Sequence, residues 1–386
     1  MKPLDSYSFI RGVNYGLKSD PAIVRRDLSY ARRLGINSVR IWLSWQAYDD
    51  LGPVYLDRLV TFVRTCHAEG VSVVPILFNG NGLDPAVLED DFIPQAEAFT
   101  SAVVHALKDE PGLLMYDAMN EPPCNDLILH APDEETKQAV YEKIWRFVRR
   151  VCTHIKSLDP VNALTVGNWL AVDIPSSADL VDVISYHDYS PTLAGVREAA
   201  ELALSEGRRC GKPVINNETC CIARANNYDS VIQVLNEYGI PWYVFNLMIE
   251  GYWSDVLGIF YPDGTVRDPA IAAAIVGCFR SRDLDVIVPE KPNREHQALD
   301  ALKKLRALLS DSEPDVFAYR GLKVSDLLDA CEHAANLLEG GQLVPMQVPP
   351  TARLASWRRQ EKPNVLDIKN YAYELAEMLK RACHIV

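Results

Sequence analysis

Along the first 280 residues, short runs of β-branched and aromatic side chains alternate with longer stretches in which apolar residues recur every three or four positions. The short runs are Phe9 to Tyr15, Ser38 to Leu43, Val71 to Phe78, Leu113 to Met119, Ala163 to Gly167, Val181 to Tyr186, Pro213 to Asn216 and Pro241 to Leu247. The helical stretches are Ala22 to Leu34, Tyr55 to Ala68, Ile93 to Leu107, Thr136 to Leu158, Leu193 to Arg209, Tyr228 to Tyr238 and Pro269 to Cys278. Gly35, Gly70, Pro111, Pro160, Gly211 and Gly239 stand where helices would stop. Strands alternating with helices predict a parallel sheet, and eight of them in about 280 residues fit a closed (β/α)8 TIM barrel. Only the connection after the fifth strand, LAVDIPSSADL, is too short for a full helix. An open doubly wound sheet remains the alternative, without a glycine-rich first turn to favour it.

The pattern changes at Ser281, where VIVPEKPN reads as a linker into a C-terminal helical extension over 281–386. Ala298, Ala301, Leu302, Leu305, Leu308 and Leu309 make one helical face, and Leu327, Ala330, Cys331, Ala334, Leu337 and Leu338 a second. A third runs from Ile368 through Tyr371, Ala372, Leu375, Met378 and Leu379 to Ala382, with VPMQVPP (Val344 to Pro350) as a connector. Amphipathic helices need a surface to bury against: each other, the barrel wall, or a second copy in a homo-oligomer.

Composition adds exclusions. The net charge of −13 argues against nucleic acid, and it is concentrated in the first 280 residues, which hold 36 of the 52 Asp+Glu but 24 of the 39 Lys+Arg. No run approaches a membrane span and the N-terminus has no apolar leader core, so the expected location is the cytoplasm, with no membrane partner. Nine cysteines without a CxxC pair indicate reduced thiols and no zinc site.

In a barrel of this kind the site is built where strands end. The fourth run ends in Asn120 and Glu121 and is stopped by two prolines; the seventh ends in Asn217 and Glu218. A single carboxylate at a strand end is more often a cap or a solvated loop residue, but two of them, each after an asparagine, point to a pair with a shared task. Arg40 lies on the second strand, where a barrel interior would demand carboxylate company. Asn79, His187 with Tyr189, and Asn246 end the third, sixth and eighth strands, and Trp42, Trp169 and Trp253 stand at or just past strand ends. A lone histidine is usually a satisfied core residue, and the tryptophans could fill core, yet indole faces at a rim are also what sugars stack on. Two carboxylates with an arginine, amides and aromatics, and histidines too scattered to suggest a metal site, suit glycoside hydrolysis, in which one carboxyl is protonated and the other ionised. No cofactor is called for.

These motifs, in this order, resemble the retaining glycoside hydrolases on a (β/α)8 barrel, and most of all the cellulase and mannanase type of family 5. The resemblance rests on Asn120-Glu121-Pro122, on Glu218 closing KPVINNE, on Arg40 in SVRIW, on His187 and Tyr189 in YHDY, and on GIFYPDGTVRDP (Gly258 to Pro269). It implies Glu121 as acid/base, Glu218 as nucleophile, Asn120 as the amide on the sugar 2-hydroxyl, and a carbohydrate substrate such as a β-glucoside or β-mannoside. It covers roughly residues 8 to 280. The third strand departs from the family in ending FNGN in place of a histidine, and the eighth carries Phe245 or Asn246 where a tryptophan is usual, with Trp253 as a substitute in the following loop. Those departures leave open a catalytically impaired glycan-binding pseudoenzyme, and more remotely a barrel enzyme of unrelated chemistry.

Overall fold

A computed structural model describes residues 3–251, 256–279, 294–310, 317–319 and 322–339. The chain divides into two compact units, Met1–Arg280 and Ser281–Val386. In the first, eight strands close a barrel in sequence order: β1 (Arg11–Gly16), β2 (Ser38–Trp42), β3 (Ser72–Asn79), β4 (Met115–Asn120), β5 (Ala163–Asn168), β6 (Ile184–Asp188), β7 (Val214–Thr219) and β8 (Trp242–Val244). Neighbours are parallel throughout, and β1 pairs with β8 to seal the ring. The fold is the expected TIM barrel.

Between the strands lie α1 (Pro21–Arg33), α2 (Trp45–Leu51), α3 (Pro53–Ala68), α4 (Ile93–Leu107), α5 (Asp126–Leu129), α6 (Glu134–Leu158), α7 (Leu193–Cys210) and α8 (Tyr228–Glu237), and α9 (Pro269–Ile275) follows β8. Caps set their ends: Asp20 accepts the Ala22 N–H before α1, Thr192 accepts the Gly195 N–H before α7, and Gly211 closes α7 at φ 65°. The short connection after β5 is a six-residue 3-10 helix, Ala171–Ser176, in place of a full α-helix.

Inside the barrel the side chains form layers. The N-terminal end is plugged by Tyr7, Val74, Met115, Ala163, Ile215 and Tyr243. Gly12 gives the Tyr243 ring its space, because a Cβ there would lie 2.2 Å from it. Above the plug the interior turns polar, with Asn14, Arg40, Asp117 and Asn217 all buried. The larger apolar core lies between strands and helices.

In the second unit α10 (Arg294–Ser310) packs on α11 (Val324–Leu338), preceded by a short antiparallel hairpin, β9 (Phe317–Tyr319) with β10 (Leu322–Lys323). The first two predicted faces fall on these helices: Leu302, Leu305 and Leu309 are buried on one, Leu327, Ala330, Cys331, Ala334, Leu337 and Leu338 on the other. The VIVPEKPN linker, the Val344 to Pro350 connector and the face from Ile368 to Ala382 lie outside the described residues. Among the described residues, no helix is long and apolar enough to cross a membrane.

Candidate active site

An ideal strand sends successive side chains to opposite faces, so Asn120 and Glu121, or Asn217 and Glu218, could not both enter the barrel from a regular strand. The structure breaks the register at both places. Between β4 and β5, Asp117 pairs with Thr165 but Asn120 with Gly167, which leaves one extra residue on β4. Between β6 and β7, Tyr186 pairs with Asn216 but His187 with Glu218, which leaves Asn217 as the extra residue on β7. Such bulges re-aim side chains, and here they bring amides and carboxylates to one rim. Glu121 itself sits at φ 43°, a left-handed conformation that costs a non-glycine residue on the order of 1–3 kcal/mol and persists where surrounding structure enforces it. Its N–H donates to the Gly167 carbonyl at 2.7 Å, and a Cβ on Gly80 would stand 2.0 Å from its own carbonyl oxygen.

Arg40, fully buried, is the hub. Its Nε donates to Asp117 Oδ2 at 2.9 Å, Nη1 to Asn14 Oδ1 at 3.1 Å and Glu218 Oε2 at 3.0 Å, and Nη2 to Asn120 Oδ1 at 2.8 Å. Nη2 also lies 2.9 Å from Asp117 Oδ2, a second close contact within that ion pair. Gly167 makes this possible, since a Cβ there would meet Nη2 at 2.5 Å. Two buried carboxylates and two amides offset the cost of taking the cation out of water.

Around this hub, Tyr189 donates its hydroxyl to Glu218 Oε1 at 2.9 Å, so both oxygens of Glu218 are held. Burial, and then the charge of Glu218, push the Tyr189 phenol up, which keeps it a donor. His187 Nδ1 bonds Glu121 Oε1 at 2.7 Å and lies 3.8 Å from Glu218 Oε2. One ligand atom each from Glu121, His187 and Glu218 falls within 4.8 Å of the others. That trio has the donor set of a divalent-cation site, but the Arg40 guanidinium already occupies Glu218 and would repel a second cation.

Burial raises Glu218 above its ordinary value and the charge of Glu121 adds to the rise, while His187, Arg40 and Tyr189 pull it down without winning. On Glu121 burial also raises, but the His187 hydrogen bond and the charges of His187 and Arg40 outweigh it, and the carboxyl is lowered. Arg40 and Tyr189 hold Glu218, and His187 holds Glu121.

The remaining predicted residues are distributed around this centre. Asn120 Nδ2 donates to Asn79 Oδ1 at 2.9 Å and to Asn81 Oδ1 at 3.0 Å, so FNGN supplies two amides to it where a histidine was expected by resemblance. Trp42 lies 5.4 Å from the Arg40 guanidinium and meets Phe245 edge to face at 5.5 Å, which places Phe245 beside the site. Trp169 is half-buried at the end of β5. Asn246 is half-buried with Oδ1 unbonded, next to the cis Phe245–Asn246 peptide. Trp253 lies outside the described residues. Asp117 and Asn81 were not picked out from sequence. Asp117 ties together Arg40, the Gly167 N–H (2.9 Å) and Asn217 Nδ2 (3.1 Å); its only sequence signal is a carboxylate inside an apolar run.

A parallel eight-stranded barrel with two facing glutamates and a buried arginine at its C-terminal rim defines a glycoside hydrolase. Residues 14–251 match the family model described as cellulase (glycosyl hydrolase family 5), and the chain belongs to that family. A comparison with curated proteins returns no match. Among solved structures the chain is similar to GH5_18 from Streptomyces cattleya in complex with GlcNAc, at TM-score 0.57 and 16% identity over 85% of this chain and 90% of that one. It is also similar to the Pseudomonas stutzeri endoglucanase Cel5A (0.54, 16%, 71% and 94%) and the Rhizomucor miehei endo-1,4-β-mannanase (0.53, 16%, 69% and 92%). At these identities the likeness is one of fold.

Proposed function

We propose that the chain is a retaining β-glycosidase acting by double displacement, with Glu218 as nucleophile and Glu121 as acid/base. The observation that carries this is the approach of Glu121 and Glu218 to within 4.8 Å, with Arg40 and Tyr189 on one and His187 on the other. Retaining enzymes hold their carboxyls about 5–5.5 Å apart, whereas inversion needs about 6.5–9.5 Å to admit water behind the sugar. Glu218 attacks the anomeric carbon as Glu121 protonates the departing oxygen. The covalent glycosyl-enzyme is then opened by water, from which Glu121 takes the proton back.

Arg40 and Tyr189 keep the attacking carboxylate aimed and favour its charged form against the effect of burial. His187 holds Oε1 of Glu121 and leaves Oε2 to carry the proton toward the leaving group. Asn120, its carbonyl fixed by Arg40, presents its amide to the sugar 2-hydroxyl, and Trp42, Trp169, Asn79 and Asn246 line the approach. β-Glucosides and β-mannosides of short oligosaccharides are the substrates proposed, in the cytoplasm.

The test is a panel of aryl β-glucoside, mannoside, galactoside and xyloside, with the anomer of the first-formed product followed by NMR. A β product, and labelling of Glu218 by a slow 2-fluoro glycoside, are expected. An α product or a label on another residue refutes the mechanism, and glycan binding without turnover of any glycoside returns the pseudoenzyme reading.

A further inference from the structure

The pairing of β6 with β7 ends at Asp188 and Thr219, one residue short of Tyr189. Tyr189 therefore lies past the ladder, and its hydroxyl needs another hold to stay 2.9 Å from Glu218 Oε1. That hold comes from β7 and the loop after it. On one side of Tyr189 the Asp188 carbonyl accepts the Thr219 hydroxyl at 2.7 Å; on the other the Ser190 carbonyl accepts Asn226 Nδ2 at 2.7 Å. Ser190 is also bonded back to Asp188, its N–H and hydroxyl donating to Oδ1 at 3.1 and 2.6 Å.

Asn226 is buried, and its single amide works in both directions. While Nδ2 reaches the chain beside Tyr189, Oδ1 accepts the Cys220 N–H at 2.7 Å and lies 3.2 Å from the Thr219 hydroxyl. Cys220, two residues past Glu218, sits at φ 71°, a left-handed conformation that a non-glycine residue keeps only where its surroundings enforce it. Without the Asn226 carbonyl its buried N–H would lose its acceptor. Backbone bonds fix Asn226 in turn: the Cys221 N–H donates to its carbonyl at 3.0 Å, and its own N–H donates to the Cys221 carbonyl at 3.2 Å. The same loop lays the Arg224 guanidinium carbon 4.6 Å from the centre of the Tyr189 ring.

We propose that Asn226 is a positioning residue for the nucleophile: by tying the turn after Glu218 to the chain beside Tyr189, it keeps the phenol on the carboxylate. This rests on the roles given to Glu218 and Tyr189 above. The competing explanation is that Asn226 only secures the loop after β7 as part of the fold. The two differ once the Tyr189 hydroxyl is gone. A residue that acts through that hydroxyl then loses most of its effect, whereas one that acts on the fold alone keeps it.

A double-mutant cycle on the full-length protein separates them, with Asn226→Ala, Tyr189→Phe and the two combined assayed beside wild type on the aryl β-glycoside that wild type turns over fastest. The expected result is that Asn226→Ala lowers kcat/KM about ten- to thirty-fold on its own and no more than about three-fold in the Tyr189→Phe background. Losses that agree within about two-fold in the two backgrounds overturn the proposal. Asn226→Asp, nearly the same in shape, keeps an acceptor for the Cys220 N–H and removes the donor to Ser190; it takes the place of Asn226→Ala in the cycle if that variant does not fold. If wild type turns over no glycoside, the catalytic reading fails separately, and denaturant unfolding of the same four proteins decides the matter. A smaller loss of stability from the Asn226 change in the Tyr189→Phe background sustains the tie to Tyr189, and the same loss in both backgrounds removes it.

Discussion

Asp117 carries more of the site than its silence in the chemistry suggests, and replacing it with alanine gives a large, measurable effect. Its Oδ2 accepts from Arg40 Nε and Asn217 Nδ2 and lies 2.9 Å from Arg40 Nη2, its Oδ1 accepts the Gly167 N–H, and the residue is fully buried. Alanine leaves the Arg40 guanidinium buried with Glu218 as its remaining carboxylate, and orphans a backbone donor. Breaking a buried ion pair by removing one partner costs about 3–5 kcal/mol, and the stranded N–H adds to it. At roughly 2–3 °C per kcal/mol for a unit this large, the melting temperature should fall by about 8–15 °C. Calorimetry on the full-length protein measures it, with Asp179→Ala as the comparison. Asp179 pairs with Arg149 at 2.7 Å on the surface, where a salt bridge contributes about 0–1 kcal/mol. If Asp117→Ala melts within about 3 °C of wild type, or no lower than Asp179→Ala, the account of Arg40 as a cation held by its carboxylates is wrong.

Tyr189→Phe removes a hydrogen bond that favours ionised Glu218, so the Glu218 carboxyl, already raised by burial, rises further. The acid limb of kcat/KM should move up by about one to two pH units, read from a pH profile; an unmoved limb shows that Tyr189 does not act on Glu218. Asp173 is pushed up to about 6, by burial first, so the native state holds its proton more tightly than the unfolded chain does. Stability from this group is therefore present at low pH, is lost between about pH 4 and 6, and stays lost above. Asp173→Asn should accordingly stabilise the protein at pH 8, by at most about 3 kcal/mol, and hardly at all at pH 4; denaturant titrations at the two pH values would refute this by showing equal effects. Gly167→Ala drives a methyl to within 2.5 Å of Arg40 Nη2 and should cut kcat/KM by more than ten-fold while leaving the circular dichroism of the fold intact. Wild-type kinetics in that variant would mean that Arg40 has room the structure does not give it.

Much of this was legible in the sequence. Eight apolar runs separated by helical stretches have one economical solution in a parallel sheet, and helices as strongly patterned as α4 and α6 fell close to their predicted bounds. By contrast α2 buries no residue completely, so it has no apolar stripe to betray it, and α5 is four residues long. The glutamate pair was visible because two apolar runs each end in Asn-Glu, the first of them stopped by two prolines. Asp117 was not, because its three partners are 77, 50 and 100 residues away and no local pattern encodes them. Distance in sequence likewise hid the bond from His187 to Glu121, 66 residues apart, which turns a residue expected to face the sugar into one that holds a carboxyl. The Asn81 amide was hidden in FNGN, where the missing histidine drew notice and the second asparagine did not.

Both amide hydrogens of Asn120 are taken, one by Asn79 and one by Asn81. A hydroxyl arriving at that nitrogen must evict one of them, so docking there is a swap of one neutral hydrogen bond for another and adds little to ground-state affinity. Because the displaced asparagine lies at the exposed end of β3, it can turn to water without cost to the core. The amide triad is thus suited to placing a hydroxyl rather than to gripping it: orientation would be gained there with no change in the number of hydrogen bonds made.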